Sequence, residues 1–334
     1  MAAPRVGSAL FIRESDASLD PLRGVTVAVL GYGHLGRSIA LNLRDSGIEV
    51  LVGNIEDQYR VRAAADHFPV RDIAAAVAEA ALVYVLLPDE VIPRVFAESV
   101  SPRLSACASV CFASGYSLAY DLVEPPARAD VLLLAPRMLG DDVRGCYLDG
   151  TGFLSYVSVE QDASGQAEDR LLALALAAGS LRRGAMRLSA RQEATLDLLV
   201  EQGVGPYLGA AFQIAFALGT EAGLPPEALV CELYMSGEME RVIRTMARVG
   251  LLESVRRHGL VAAYGGLWSM ETIDREGMER HFRAVLEQIG SGVFARRLQA
   301  EEAQGYPTLA LLDTLLDGDN PLSAAERRVR GEVG

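Results

Sequence analysis

One segment, residues 25–54, constrains the fold more than any other part of the chain. An apolar run leads into the sequence GYGHLG, and a stretch with helical periodicity and a second apolar run follow it. This order predicts a strand, a tight turn, a helix and a second strand. The glycine spacing suits the pyrophosphate of a dinucleotide: Gly31 permits the turn, Gly33 allows close backbone approach, and Gly36 lets the helix pack on the strand. The free N–H groups at the helix start also favour an anion. We therefore predict dinucleotide binding.

The same alternation of apolar runs and helical segments continues to about residue 188. Runs typical of buried parallel strands occur at residues 82–87, 109–113, 131–134, 153–159 and 185–188. The pattern predicts an α/β fold, in which a Rossmann-type doubly wound parallel sheet spans residues 23–188. Residues 1–22 are predicted to be an N-terminal extension.

From residue 189 to residue 334 the pattern changes to helices almost without strands. Apolar-periodic stretches cover residues 192–218, 226–249, 278–291 and 294–303, with predicted breaks at GLPP (223–226) and YGG (264–266). We predict an all-α second domain.

Charge and composition limit the kinds of partner that the protein is expected to bind. The chain has 44 acidic and 31 basic residues, and a net charge of −13 disfavours nucleic acid and anionic membranes. No apolar run approaches the length of a membrane span, and the first residues lack a basic segment leading into a long apolar core. The four cysteines form no CxxC pair and the four histidines are scattered, so no zinc site is indicated. We expect a soluble cytoplasmic protein that binds a small molecule.

Two carboxylates lie in an apolar stripe of the first long predicted helix. Asp197 and Glu201 are four residues apart, and the same face continues through Val204 and Leu208. Such carboxylates must be paired, protonated or bound to a cation, because isolated buried charge is costly. The alternatives are a salt bridge to an arginine, and a hard cation such as Mg²⁺ or a polar substrate. Glu238, on the next predicted helix, is the candidate for a third metal ligand or a proton-transfer group.

Three loops follow predicted strands at the sheet edge where ligands of such folds bind. They are LLPDE (86–90), FASGYS (112–117) and APRMLGDDVRG (135–145). Arg137 directly follows a strand, so it is a candidate for holding a substrate carboxylate. The alternative is an ordinary arginine salt bridge.

These motifs, together with QDASG, DLLVEQG and SGVFAR, resemble the short-form ketol-acid reductoisomerases, also called acetohydroxyacid isomeroreductases. The resemblance covers nearly the whole chain after residue 20. It implies a Rossmann-type N-terminal domain, a helical and knotted C-terminal domain, and a homodimer whose active sites use both subunits. In that family a dinucleotide delivers hydride, while two Mg²⁺ ions held by an aspartate and glutamates drive an alkyl migration.

The resemblance also assigns site residues. Asp197 and Glu201 stand where the family has its first pair of metal ligands, and Glu238 aligns with a glutamate donated by the partner subunit. The departures from the family's residues are Tyr234 for a second donated glutamate, Ser114 for a histidine, Arg137 for a lysine and Gly259 for a serine. The predicted cofactor contacts are Gly31, Tyr32, Gly33, His34, Leu35, Gly36, Asn54, Glu56, Asp57, Arg60, Leu87, Pro88, Asp89, Ser114, Gly115 and Pro136.

These departures favour a reductase that has lost the isomerase step. Alkyl migration needs both metal ions to polarise adjoining oxygens, and Tyr234 removes one carboxylate. Hydride transfer to a ketone or imine needs only a placed substrate and a proton source, such as the Tyr234 phenol. In the simpler alternative, Tyr234 only fills the vacated volume. The competing functions are a genuine isomeroreductase of branched-chain amino-acid synthesis and a silent homologue acting as a partner or sensor.

The loop after the second strand bears on the choice of cofactor. Glu56 and Asp57 lie where the family usually binds the 2′-phosphate of NADPH, so they favour NADH. Arg60 and Arg62 follow closely and favour the reverse choice, NADPH.

Overall fold

The computed structural model describes residues 10–317 and 320–333. The chain divides between Leu196 and Asp197 into two compact units. Of the predicted extension, residues 1–9 lie outside the described part. Within the remainder, Ile12 forms a β-bridge with Ala185, and Leu22 is buried. None of the described helices is long and apolar enough to cross a bilayer.

The first unit is built on one sheet of eight strands. They are β1 (Thr26–Leu30), β2 (Glu49–Gly53), β3 (Val70–Arg71), β4 (Leu82–Val85), β5 (Ser109–Phe112), β6 (Asp130–Pro136), β7 (Ser155–Gln161) and β8 (Ala185–Arg187). The order across the sheet is β3-β2-β1-β4-β5-β6-β7-β8. The strand order reverses between β1 and β4, as in doubly wound folds. The predicted α/β fold with a Rossmann-type sheet is confirmed.

Three details differ from the prediction. β7 pairs antiparallel with β6, whereas every other pair is parallel. β3 was not predicted, because two residues are too short to leave a periodic signal. The predicted strand run at 82–87 ends at Val85, since the following residues turn away to form a loop.

Helices cover both faces of the sheet because its strands are apolar on both sides. These helices are α1 (His34–Asp45), α2 (Gln58–Ala65), α3 (Ile73–Glu79), α4 (Ile92–Val95), α5 (Tyr116–Ala119), α6 (Gly140–Leu148) and α7 (Ala167–Ala178). Alternate residues along β1 belong to two separate core clusters: Val27 and Val29 to one, Ala28 and Leu30 to the other. Burial on both faces explains the continuous apolar runs that identified the strands.

The rest of the described chain is helical, as predicted. The helices are α8 (Ala190–Leu199), α9 (Gly205–Glu221), α10 (Pro226–Val230), α11 (Glu238–Val249), α12 (Leu251–Val255), α13 (Leu260–Ser269), α14 (Arg275–Gly290), α15 (Val293–Ala303), α16 (Pro307–Asp317) and α17 (Pro321–Val333). π-helical turns at Val200–Val204 and Cys231–Met235 continue α8 and α10.

One helix break was not predicted, and one predicted break was misplaced. The stretch predicted as one helix over residues 226–249 is interrupted at Gly237, whose φ of +78° lies in the left-handed region that favours glycine. The predicted break at residues 264–266 instead lies inside α13. A glycine in a helix costs only about 1 kcal/mol, which the rest of the helix can offset.

Candidate functional site

A cavity of about 660 Å³ opens where the carboxyl ends of the parallel strands meet their loops. It brings together most of the predicted cofactor contacts: Gly31, Tyr32, Gly33, His34, Leu35, Gly36, Asn54, Asp57, Leu87, Pro88, Asp89 and Ser114. These residues come from the loops after β1, β2, β4 and β5, which are far apart in sequence. The cavity lies at the crevice where open α/β sheets bind nucleotides.

The three glycines of the first loop differ in what surrounds them. A Cβ atom on Gly31, where φ is +91°, would lie 2.7 Å from the Leu86 carbonyl oxygen. A Cβ on Gly36 would lie 2.1 Å from the Gly31 carbonyl oxygen. A Cβ on Gly33 would meet nothing within 4 Å. Gly31 and Gly36 are therefore required by the fold itself, whereas Gly33 leaves open space for a ligand to approach the start of α1.

Asn54 organises the loop after β2. Its Oδ1 accepts a hydrogen bond from the backbone N–H of Tyr32 (3.1 Å), and its Nδ2 donates to Asp57 Oδ1 (2.7 Å). Asp57 Oδ1 also accepts from the N–H groups of Tyr59 and Arg60, both at 2.9 Å. Asp57 is therefore the N-cap of α2, and the loop is held in place before any ligand binds.

Four of the predicted cofactor contacts do not line this cavity: Glu56, Arg60, Gly115 and Pro136. The Glu56 side chain is 83% exposed, and its carboxylate pairs with Arg60 Nε at 3.1 Å. Arg60 Nη1 donates to the Asn54 carbonyl oxygen (2.8 Å) and lies 3.4 Å from Asp72 Oδ1. Arg60 is thus bound to its own loop.

A partly buried cluster behind the glycine loop was not predicted. The Tyr32 hydroxyl donates to Asp66 Oδ2 (2.9 Å), and Arg37 Nε donates to the same oxygen (2.6 Å). Burial and the Asp66 carboxylate raise the pKa of the Tyr32 phenol, while the hydrogen bond from Arg37 lowers the pKa of Asp66. The cluster ties the glycine loop to the end of α2. No short-range pattern links these residues, so the sequence carries no signal for it.

At the loop after β6, Arg137 pairs with a carboxylate that the sequence analysis missed. Arg137 Nη1 lies 3.2 Å from Glu193 Oε1, and its guanidinium is 5.4 Å from the centre of the Tyr156 ring. Glu193 is 1% exposed, and its Oε2 accepts from the Gly115 N–H at 2.7 Å. The structure therefore contains the salt bridge that was the alternative for Arg137. One sequence signal for Glu193 was available: it lies four residues before Asp197, just as Asp197 lies four residues before Glu201.

Gly115 and Ser114 take local structural roles. A Cβ on Gly115 would lie 2.2 Å from the Ala190 carbonyl oxygen, so this glycine packs against α8 and away from the cavity. Ser114 lines the cavity, and its Oγ accepts from the Tyr116 N–H at 3.2 Å. Pro136 is a buried residue of β6.

The predicted metal ligands are not gathered within one chain. Asp197 is partly exposed and Glu201 is exposed, and the helix changes to a π-turn at Val200 between them. The stripe that continues from them is also open to solvent in the single chain, since Val204 is 49% and Leu208 50% exposed. Across the described ranges, no group of three or more His, Cys, Asp or Glu side chains could hold a metal ion.

Tyr234 and Glu238 are separated by the break at Gly237. Glu238 begins α11 and is exposed, so it does not lie on one continuous helix with Tyr234. The Tyr234 hydroxyl donates to Glu326 Oε1 (2.6 Å), and its ring centre is 5.3 Å from that of Phe212. Burial and the Glu326 carboxylate raise the pKa of the Tyr234 phenol. These contacts favour the packing role over proton donation, because a higher pKa makes a weaker acid.

Comparison with known proteins shows similarity along nearly the whole chain. A family model described as "Acetohydroxy acid isomeroreductase, NADPH-binding domain" matches residues 21–184, and one described as "Ketol-acid reductoisomerase, C-terminal domain" matches residues 191–333. The ketol-acid reductoisomerase (NADP(+)) of Methanopyrus kandleri is 38% identical over 296 residues, which cover 87% of this chain and 89% of that protein. The ketol-acid reductoisomerase (NAD(P)(+)) of Metallosphaera sedula is 36% identical over 303 residues, 89% of each chain.

Among solved structures, an NADH-preferring ketol-acid reductoisomerase from an uncultured archean superposes with a TM-score of 0.91. Its sequence is 29% identical, and the match covers 96% of this chain and 98% of that one.

Proposed function

The chain belongs to the ketol-acid reductoisomerase family and is an NAD(P)H-dependent oxidoreductase; from that premise we propose that it is a reductase without the isomerase step. In this proposal it transfers hydride to the C=O or C=N carbon of a small substrate that carries a carboxylate. The observation that carries the proposal is Tyr234. It replaces a carboxylate that the resemblance assigns to the metal site, and its hydroxyl is bound to Glu326.

The cofactor cavity supports the hydride-transfer half of this proposal. Gly33 gives the pyrophosphate open access to the start of α1, and the Asn54 loop is preorganised for the adenosine ribose. Arg137, held by Glu193, is the residue assigned to the substrate carboxylate, because a guanidinium binds carboxylates through paired N–H donors. The intact cavity disfavours a silent homologue acting as a partner or sensor.

Magnesium has a reduced role in the proposal. Asp197 and Glu201 would hold one ion, with Glu238 contributed from a second copy of the chain. Such an ion would polarise the substrate carbonyl. With Tyr234 in place of a carboxylate, a second ion would be held more weakly, and migration requires two ions.

The test of the function is turnover by the purified protein with abundant Mg²⁺. We expect no conversion of 2-acetolactate to its rearranged dihydroxy acid. We expect oxidation of NADH or NADPH with a simple 2-keto acid or a cyclic imine carboxylate. Product analysis by mass spectrometry, with cofactor absorbance followed in parallel, measures both.

The alternative function is genuine isomeroreduction in branched-chain amino-acid synthesis, and the names of the relatives favour it. Robust Mg²⁺-dependent formation of the dihydroxy acid would establish this alternative. It would also mean that Asp197, Glu201 and Glu238 suffice to hold both ions.

We further propose that NADH is the preferred cofactor. Glu56 pairs with Arg60, and Asp72 and the Asn54 carbonyl also contact the Arg60 guanidinium, which reduces its capacity to capture a 2′-phosphate. The structural relative described as NADH-preferring supports the same choice. Glu56→Gln removes one negative charge and one partner of Arg60.

For Glu56→Gln we expect NADPH to bind about tenfold more tightly, with little change for NADH, because the difference between the cofactors is one phosphate. Fluorescence titration of both cofactors measures this. Glu79→Gln is the matched control, because Glu79 forms a similar ion pair with Arg71, and neither side chain lines the cavity or contacts Arg60. Wild-type preference for NADPH, or no gain in Glu56→Gln, contradicts the proposal.

We also propose an obligate homodimer with active sites shared between subunits. Large apolar side chains of the helical unit face solvent in the single chain, including Leu208 and Leu218 on α9, and Leu260, Val261 and Trp268 on α13. Leu260 is 86% and Val261 88% exposed. Apolar surface of this kind usually marks an interface.

Light scattering should therefore find a dimer and no folded monomer at low concentration. Val261→Glu should dissociate or unfold the protein, because a charge would be buried without a partner. Leu148→Glu is the control, since Leu148 is 65% exposed at the end of α6 in the other unit. A stable and active wild-type monomer would remove Glu238 from its proposed role.

A further inference from the structure

His34 is the first residue of α1 and lines the cofactor cavity. Its Nδ1 lies 2.8 Å and 3.0 Å from the two carboxylate oxygens of Asp141. Because a carboxylate only accepts hydrogen bonds, Nδ1 carries the proton in this pair. Within the described chain, no hydrogen bond engages Nε2, and the His34 side chain is 66% exposed.

The position of Asp141 makes this pair unusual. Asp141 belongs to the first turn of α6, and that turn packs directly on the first turn of α1. A Cβ on Gly140 would lie 2.7 Å from the Leu35 backbone nitrogen and 3.0 Å from His34 Cβ. The Asp141 carboxylate therefore stands beside the N–H groups that would face a pyrophosphate, where its charge would repel the ligand.

We propose that the His34 side chain binds the pyrophosphate of the cofactor as an imidazolium. Asp141 holds the ring through Nδ1, and Nε2 donates to a phosphate oxygen. The positive charge of His34 offsets the carboxylate at the mouth of the site and adds a charge-assisted hydrogen bond to the backbone contacts of the glycine loop. An exposed ion pair by itself stabilises a protein very little, so we assign the His34–Asp141 pair a role in ligand binding and not in stability.

This role couples cofactor binding to the protonation of the His34 ring. The pyrophosphate favours the charged ring, so the complex holds more protons than the free protein, and affinity falls as pH rises. The other charged groups on α1, on α6 and in the cavity lining are Arg37, Arg44, Asp45, Asp57, Asp89, Arg94, Asp141, Asp142 and Arg144. Carboxylate and guanidinium groups ordinarily keep their charge between pH 6 and pH 8, so His34 would dominate the pH dependence.

The test is the Kd of NADH at pH 6 and pH 8 for the wild type and three variants. His34→Asn should weaken binding about tenfold at pH 6, the size of one charge-assisted hydrogen bond, and should flatten the pH dependence. His34→Arg should restore affinity at pH 8, because guanidinium stays charged. Asp141→Asn should bind at least as tightly as wild type at pH 6, because a repelling charge is gone. Adenosine, which lacks a phosphate, should bind all four proteins equally.

A purely structural role predicts a different outcome. If His34 and Asp141 only join α1 to α6, then His34→Asn and Asp141→Asn should weaken NADH binding alike, lower the melting temperature alike, and leave the pH profile unchanged. That result would overturn the proposal, as would failure of His34→Arg to restore binding at pH 8 in a protein with a wild-type melting temperature.

Discussion

Gly36→Ala should abolish cofactor binding and destabilise the first unit, whereas Gly33→Ala should abolish binding alone. The Cβ of an alanine at residue 36 would lie 2.1 Å from the Gly31 carbonyl oxygen, so the helix and the turn must move apart. Overpacking of this kind costs about 3 kcal/mol, and the displaced loop no longer matches a pyrophosphate. At Gly33 the protein leaves the space open, and φ is −66°, which alanine adopts without strain.

The two effects are separated by measuring the melting temperature and the Kd of NADH for each variant. We expect Gly33→Ala to keep the wild-type melting temperature and to bind NADH at least 100-fold more weakly. That loss is roughly the contribution of two or more hydrogen bonds, which the backbone can no longer form once the methyl group keeps the pyrophosphate at a distance. Gly145→Ala is the control, because its Cβ also meets nothing within 4 Å and it lies on α6 away from the loop. Normal NADH binding by Gly33→Ala would show that the pyrophosphate does not approach this glycine.

Asp130→Asn should destabilise the protein by about 4 kcal/mol, the usual cost of removing one member of a buried charged network. Asp130 is fully buried. Its two oxygens accept hydrogen bonds from the Ser109 hydroxyl (2.8 Å), the Ala163 N–H (2.9 Å), and both the N–H (2.9 Å) and the hydroxyl (2.8 Å) of Ser164. Arg170 Nη1 adds a charge at 3.3 Å. An asparagine would turn an NH₂ group toward donors, leaving buried groups unsatisfied.

The pH dependence of stability gives an independent measurement of the same network. Burial alone would raise the pKa of Asp130, but the hydrogen bonds from Ser164, Ser109 and Ala163 hold it below its usual value. Because the pKa of Asp130 is lower in the folded state, its ionised carboxylate stabilises the fold at pH values above the unfolded-state pKa of about 3.9. That stabilisation is lost as the pH falls through the folded-state pKa.

The gap in stability between wild type and Asp130→Asn should therefore be constant above about pH 5 and should narrow below about pH 4. Urea unfolding at several pH values measures it. Asp149→Asn serves as the control: Asp149 accepts hydrogen bonds from Thr151 at an exposed site, so this substitution should leave stability near wild type. A gap that does not change with pH would mean that Asp130 is not ionised in the folded state.

The fold was predictable from local patterns. Every strand except the two-residue β3 left an apolar run, and GYGHLG marked the first turn of the sheet. These signals are local because a buried strand needs a continuous apolar run, and the turn needs glycine where φ is positive or backbone passes close by. Helix interruptions were harder to predict, since Gly237 breaks a helix and Gly265 and Gly266 do not.

The candidate site was predictable only in part. The residues lining the cavity come from loops that the alternation of strands and helices already placed at one sheet edge. Glu56 and Arg60, which were predicted as cofactor contacts, pair with each other and do not line the cavity, because a charged side chain near a ligand loop can pair with its neighbour as easily as with a ligand. Glu193 was missed because the four-residue spacing that it shares with Asp197 and Glu201 does not show which of the three carboxylates is buried.

The sequence by itself determined the order of the elements, the glycine loop and the family, since each of these depends on the spacing of neighbouring residues. The tertiary structure alone decided which polar groups meet. Tyr32 reaches Asp66, His34 reaches Asp141 more than 100 residues away, and Tyr234 reaches Glu326. Such pairs depend on how helices dock on the sheet and on each other. That docking is set by many weak apolar contacts summed over the whole core, so no short segment contains the information that determines it.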